Sequence, residues 1–145
     1  MTKKQEAMFT LIQNLVLAFV INSAATILNG GFADTWVYLV GMFEAFSINM
    51  VAGFMIPVPK IGKSVAGALK LKEGTFLHKL VRVFVINAIF VTIISFSIAL
   101  INCGPVPNIV SIWITTYPIL HLVGLLTSLL SENACIELAK TIVSE

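Results

Sequence analysis

The chain has 145 residues, 58% of them hydrophobic and 11% charged, with a mean hydropathy of +0.98 and a formal net charge of +2. That balance is far from a water-soluble domain's and fits a chain built for a bilayer. It excludes an independent soluble catalytic domain, because the polar stretches are too short to fold into one.

A helix needs about 20 apolar residues to cross a hydrocarbon core, and it is the only open-ended segment that satisfies its own backbone there. The first such run follows Glu6, carries no charge until Asp34, and predicts a helix over about 8–29. Lys3 and Lys4 ahead of an apolar run also fit a signal peptide. The run is longer than a signal core, however, and continues past "NSAA" to Leu28, so a retained span is the reading. The second span covers about 35–56 and stops at "PVPK", where prolines remove backbone donors.

Residues 60–76 follow as a basic linker. Ile61, Val65 and Leu69 recur every four residues with Lys63, Lys70 and Lys72 away from them, which suits a short helix lying among headgroups and attracted to anionic lipid. No nucleic-acid role is needed to explain these lysines, and His78 nearby reads as solvated. Between Arg82 and Glu132 no side chain is charged, so that stretch must fold back. The break falls at "NCGPVPN", giving spans over about 77–101 and 109–131, and "ENACIELAKTIVSE" then reads as a C-terminal surface helix.

Basic residues lie before the first span, between the second and third, and in the tail; the other two connections have none. By the positive-inside rule both termini and the central loop are cytoplasmic. Cys103 and Cys135 then sit on opposite sides and form no intramolecular disulfide. The expected fold is an all-α, integral-membrane four-helix bundle. Its two helix pairs, residues 1–59 and 77–145, enter in parallel, as a multi-pass protein of the bacterial inner membrane.

A duplication underlies that pairing. A shift of 73 sets Asn14 beside Asn87, Ile21 beside Ile94, Asn29 beside Asn102 and Gly31 beside Gly104; a shift of 77 sets Trp36 beside Trp113 and Glu44 beside His121. Three of the first four identities are not greasy residues, which separates them from chance matches between apolar spans. Two unrelated apolar hairpins can also be aligned with one gap.

Helical spacing gathers Asn14, Asn22 and Asn29 on one stripe of the first span, and Asn87, Ser95 and Asn102 on one stripe of the third. Amides cannot face hydrocarbon without losing hydrogen bonds, so both stripes should face helices or trapped water. The fourth span carries Tyr117, His121, Gly124 and Ser128 along one side, with Pro118 as a point of bending. Trp36 and Trp113 read as anchors of the outer aromatic belt.

Glu44 is the one acid inside the second span, beside the small residues Gly41 and Ala45. It lies roughly 12 Å of helix from the outer end, too deep to be interfacial. A carboxylate there must be paired, hydrated or protonated, and His121 is the mid-span partner that could become cationic. Glu44, His121, Asn14, Asn87, Asn22 and Ser95 are therefore the candidate substrate or proton site. The bland reading is that each is satisfied by a neighbouring amide or hydroxyl, such as the Tyr117 phenol for His121, and fixes helix register.

There is no GxGxxG, no GKS or GKT phosphate loop, no HExxH, no CxxC and no metal-ligand spacing of His, Cys, Asp and Glu, so neither enzyme chemistry, metal nor cofactor is expected. The first pair, with "LNGG" at its turn and "MIPVPK" at its end, resembles a family of small bacterial membrane proteins known only as a domain of unknown function. The second half departs from it, with "INCG" at the turn and Ala134 where the repeat would place a proline. The resemblance implies a tandem membrane unit and no activity. Small multidrug exporters are similar in size, but their membrane glutamate lies in the first helix, where this chain has no acid; four-helix fluoride channels share no motif with it. Two functions are expected. One is a small-solute or ion transporter or channel with a polar site between the repeats, working as a homo-oligomer. The other is an accessory or regulatory subunit whose polar residues pair with a partner membrane protein.

Overall fold

In the computed structural model, which describes residues 1–28, 31 and 34–143, the chain forms five helices: α1 (Lys3–Leu28), α2 (Thr35–Met55), α3 (Val58–Ala68), α4 (Phe76–Cys103) and α5 (Ile109–Ile142). All but α3 are long and apolar enough to cross a membrane. Asn29 lies outside the described residues, as does the Asn102 side chain.

Local chemistry sets the ends. Asp34 caps α2, its carboxylate accepting from the Trp36 and Val37 amides, and Thr75 caps α4 by accepting from the His78 amide. Pro57 and Pro59 end α2 and open α3, as "PVPK" predicts. After α4 the chain reverses at Gly104, whose φ of +71° favours a residue without Cβ. Pro118 does not interrupt α5.

The four long helices form a ring in the order α1, α2, α4, α5, closed by extensive packing of α5 on α1, while α3 lies on α4. Consequently α2 and α5 face one another across the bundle. Gln13 of α1 bonds Ser131, Asn22 of α1 bonds the Tyr38 carbonyl, and Trp113 of α5 bonds Ser95 of α4. These pairs make every ring neighbour of α1 and α5 antiparallel. The start of α1, α3, the start of α4 and the end of α5 therefore share one end, which carries the lysines and Arg82: the basic end.

The core is small and interdigitated, with Leu17, Ala18, Ile21, Ala45, Val91, Ile94 and Leu120 all buried. Beside them Asn14, Asn22, Asn49, Asn87, Ser95 and Ser128 are buried too, while Phe54 and Leu130 are about 80% exposed (81% and 82%). This inversion, amides inside and large apolar groups outside, is what a hydrocarbon solvent selects.

Two expectations are corrected at the basic end. The tail is no separate surface helix: α5 runs unbroken to Ile142, because no breaker follows Ser131 and the stripe Ser128, Glu132, Cys135 and Ala139 is buried. His78 is less open than expected; α3 packs on α4 and the residue is only 9% exposed, at the edge of an open shelf. Cys103 is exposed and Cys135 buried, and both are free thiols.

Candidate functional site

The six candidate residues fall in separate places. Glu44 and Asn22 line an open pocket of about 450 Å³ at the end opposite the lysines, between α1 and α2, with Thr26, Asp34, Tyr38 and Gly41. The Glu44 carboxylate makes no hydrogen bond or ion pair to any described residue. Asp34 is the second acid of the pocket and no basic side chain lines it. A cation would find two carboxylates, a phenol and an indole there, the combination that carboxylate pairing and cation–π attraction reward.

His121 is elsewhere. Its Nδ1 lies 3.3 Å from the Asn87 amide nitrogen, its ring stacks on Tyr117 at 5.7 Å, and Phe84 meets it edge-on at 4.8 Å. No hydrogen bond or ion pair joins it to Glu44, and the reason is rotational. Ala45 and Leu120 point into the core of opposite helices, so Glu44, just before the one, and His121, just after the other, turn to different neighbours. The Tyr117 phenol is not the histidine's partner either; it accepts from Thr92 at 3.0 Å and makes no hydrogen bond to the ring. Because the Asn87 nitrogen donates, the neutral ring holds its proton on Nε2, which is buried without a partner.

The buried asparagines share a device. The Asn22 Nδ2 donates to the Tyr38 carbonyl at 3.1 Å while its Oδ1 lies where a Cβ on Gly41 would be 2.8 Å away. The Asn87 Nδ2 donates to the His121 carbonyl at 2.9 Å, and its Oδ1 would be 2.5 Å from a Cβ on Gly124. In both, a glycine three residues beyond the accepting carbonyl opens a notch for the amide. Gly124→Ala should therefore cost about 1–3 kcal/mol through overpacking. Part of that loss should vanish in an Asn87→Ala background, the remainder being the 2.9 Å approach to a Val91 methyl, as thermal melting of the four variants in detergent would report.

Asn14 donates to the Met50 sulfur at 3.6 Å, a weak partner. Ser95 accepts from the Trp113 indole at 2.8 Å, so Trp113 is packed within the bundle, whereas Trp36 is 72% exposed, as an interfacial anchor would be. No family model matches this chain, and no curated protein or solved structure does either.

Three features escaped the sequence reading. Asn49 is 0% exposed, and neither its Nδ2 nor its Oδ1 has a partner. Its signal was the run of Ala45, Asn49 and Ala52 on one face of α2. Glu132 is 8% exposed and receives the Arg82 guanidinium, with the Lys79 ammonium 3.0 Å from its Oε2 but not aligned as a hydrogen bond. Gln13, also buried, bonds Ser131 across α1 and α5.

Proposed function

We propose that the chain is a multi-pass protein of a bacterial cytoplasmic membrane that binds and moves a small solute or ion, a cation being favoured, through the pocket at Glu44. The observation that carries this reading is an acid in the interior of an apolar helix that lines an open pocket and has no partner among the described residues. A charge so placed is costly unless water or a cation meets it. The location of every lysine and of Arg82 toward one end supports cytoplasmic termini and a cytoplasmic α3, with the pocket facing outward. The recurrence of the asparagine notch in α1–α2 and α4–α5 is in keeping with two tandem pairs. It recurs at shifts other than those that align the sequences, so it supports a shared packing habit more than a residue-by-residue copy. Four helices enclose little space, and a complete pathway calls for a homo-oligomer.

The test is cation-driven proton movement in liposomes containing the purified protein. Glu44→Gln should reduce flux to that of protein-free liposomes, whereas His121→Ala should leave most of it, since His121 lies outside the pocket. Flux indifferent to Glu44→Gln would remove the site.

One observation favours the accessory-subunit reading. Packing along the α2–α4 seam is sparse, and it opens as an apolar groove lined by Ile48, Val51, Met55 and Ile93. A partner helix seated there could bring a donor to Glu44. A stoichiometric membrane partner that is lost on Glu44→Leu would decide for it.

A further inference from the structure

At the basic end two spaces lie one after the other along a single face of α4. The first is an open shelf lined by Lys63 of α3, by Glu73, and by His78, Lys79 and Arg82 of α4. The second is a half-enclosed slot of about 140 Å³ whose walls include Phe9, Leu17, Ile86 and Phe90. Arg82 borders both, so a guanidinium stands where the basic shelf gives way to the apolar slot.

Each space is faced by a polar side chain that has no partner among the described residues. The His78 side chain is only 9% exposed, lines the shelf and makes no hydrogen bond to a described residue. Ser128, 8% exposed, lines the slot and is equally without a partner, and Asn14 beside it has only a thioether. The shelf carries three cations against Glu73 and the Glu132 that Arg82 and Lys79 share, leaving a net positive charge facing headgroup depth.

We infer that this tandem of shelf and slot binds one anionic phospholipid from the basic-side leaflet, its phosphate against Lys63, His78 and Arg82 and part of one acyl chain in the slot. A slot of this volume is close to one that accepts benzene, so it takes a segment of a chain and not its full length. Lys79 and Arg82 keep Glu132 as partner while their remaining N–H groups turn to the phosphate, a planar fork suiting phosphate oxygens. This is a defined site for one lipid, distinct from the diffuse attraction of a basic loop to an anionic surface, and it does not depend on the role of Glu44.

Native mass spectrometry of the full chain, released from mixed micelles of phosphatidylglycerol and phosphatidylcholine, tests it. Phosphatidylglycerol should be retained selectively, as a single bound lipid. Lys63→Ala should cut that retention about fivefold, the effect of one basic residue near an anionic headgroup, and Glu73→Gln should raise it. Ser128→Leu, which fills the slot, should abolish retention; if that variant does not fold, weaker retention by the parent of the chain-free headgroup glycerophosphoglycerol than of short-chain phosphatidylglycerol reads the same contact. Equal retention of the two headgroups, or indifference to both Lys63→Ala and Glu73→Gln, would overturn the proposal. So would thermal stabilisation by inorganic phosphate equal to that by phosphatidylglycerol, which would assign the shelf to a free anion.

Discussion

Replacing Glu132 with Leu is expected to lower the stability of the bundle by about 2–3 kcal/mol, read as a fall of roughly 5–10 °C in the melting midpoint in detergent. The carboxylate is the only acid paired with Arg82 and Lys79 among the described residues, and it ties α4 to α5 where Gln13 ties α5 to α1. A fully buried pair broken in this way costs about 3–5 kcal/mol, because the surviving charge is left in a poor solvent. The Arg82 side chain is 24% exposed and that of Lys79 31%, so each can turn partly toward water and the loss is smaller. The double variant Arg82→Leu with Glu132→Leu should recover much of the loss, since it removes both desolvation penalties together. If Glu132→Leu melts with the parent, the pair contributes nothing to the fold.

This pair also shows what a sequence of this kind conceals. Hydropathy makes the four long helices legible, because a span is a local property of about 20 residues, and the prolines of "PVPK" and the glycine of "NCGPVPN" mark real ends. Which helices adjoin is a property of the whole bundle. Glu132 reads as the polar margin of the fourth span until the start of α4 is set beside it, and Lys140 and Glu137 nearby reinforce the impression of a surface segment. The buried stripe through Cys135 and Ala139 exists only because α1 begins at Lys3 and is long enough to cover it.

The same limit governs the site. Spacing placed Asn14, Asn22, Asn87 and Ser95 on inward faces, and all four are buried, because a 3.6-residue period needs no tertiary information. Pairing Glu44 with His121 needed the mutual orientation of α2 and α5. Equal depth in two helix pairs cannot supply it, and across this ring each residue turns toward a different neighbouring helix: Glu44 lies by Asn22 of α1, and His121 by Asn87 of α4. The asparagine notches depend on a glycine in another helix, and their common rule, an amide on a carbonyl with glycine three residues beyond, became visible only with Asn22 and Asn87 side by side.

Asn49→Leu is expected to raise stability. The residue is 0% exposed in α2 between the core positions Ala45 and Ala52, and both ends of its amide lack partners. An amide desolvated without compensation carries a penalty of about 1–3 kcal/mol, which an apolar group with the same branching at Cγ does not incur. Leucine is somewhat bulkier, so part of the gain is offset by crowding, and a net rise of about 1 kcal/mol is the expected result. Asn49→Ala separates the contributions. It also removes the unpaired amide but leaves a void, so it should fall below the leucine variant in thermal melting. Loss of stability in both would mean that the amide is satisfied after all, by water held between α2 and its neighbours. A polar site continuous with the bundle interior would then pass through Asn49, giving the Glu44 pocket a route inward that the apolar packing of Ala45, Val91 and Ile94 otherwise closes.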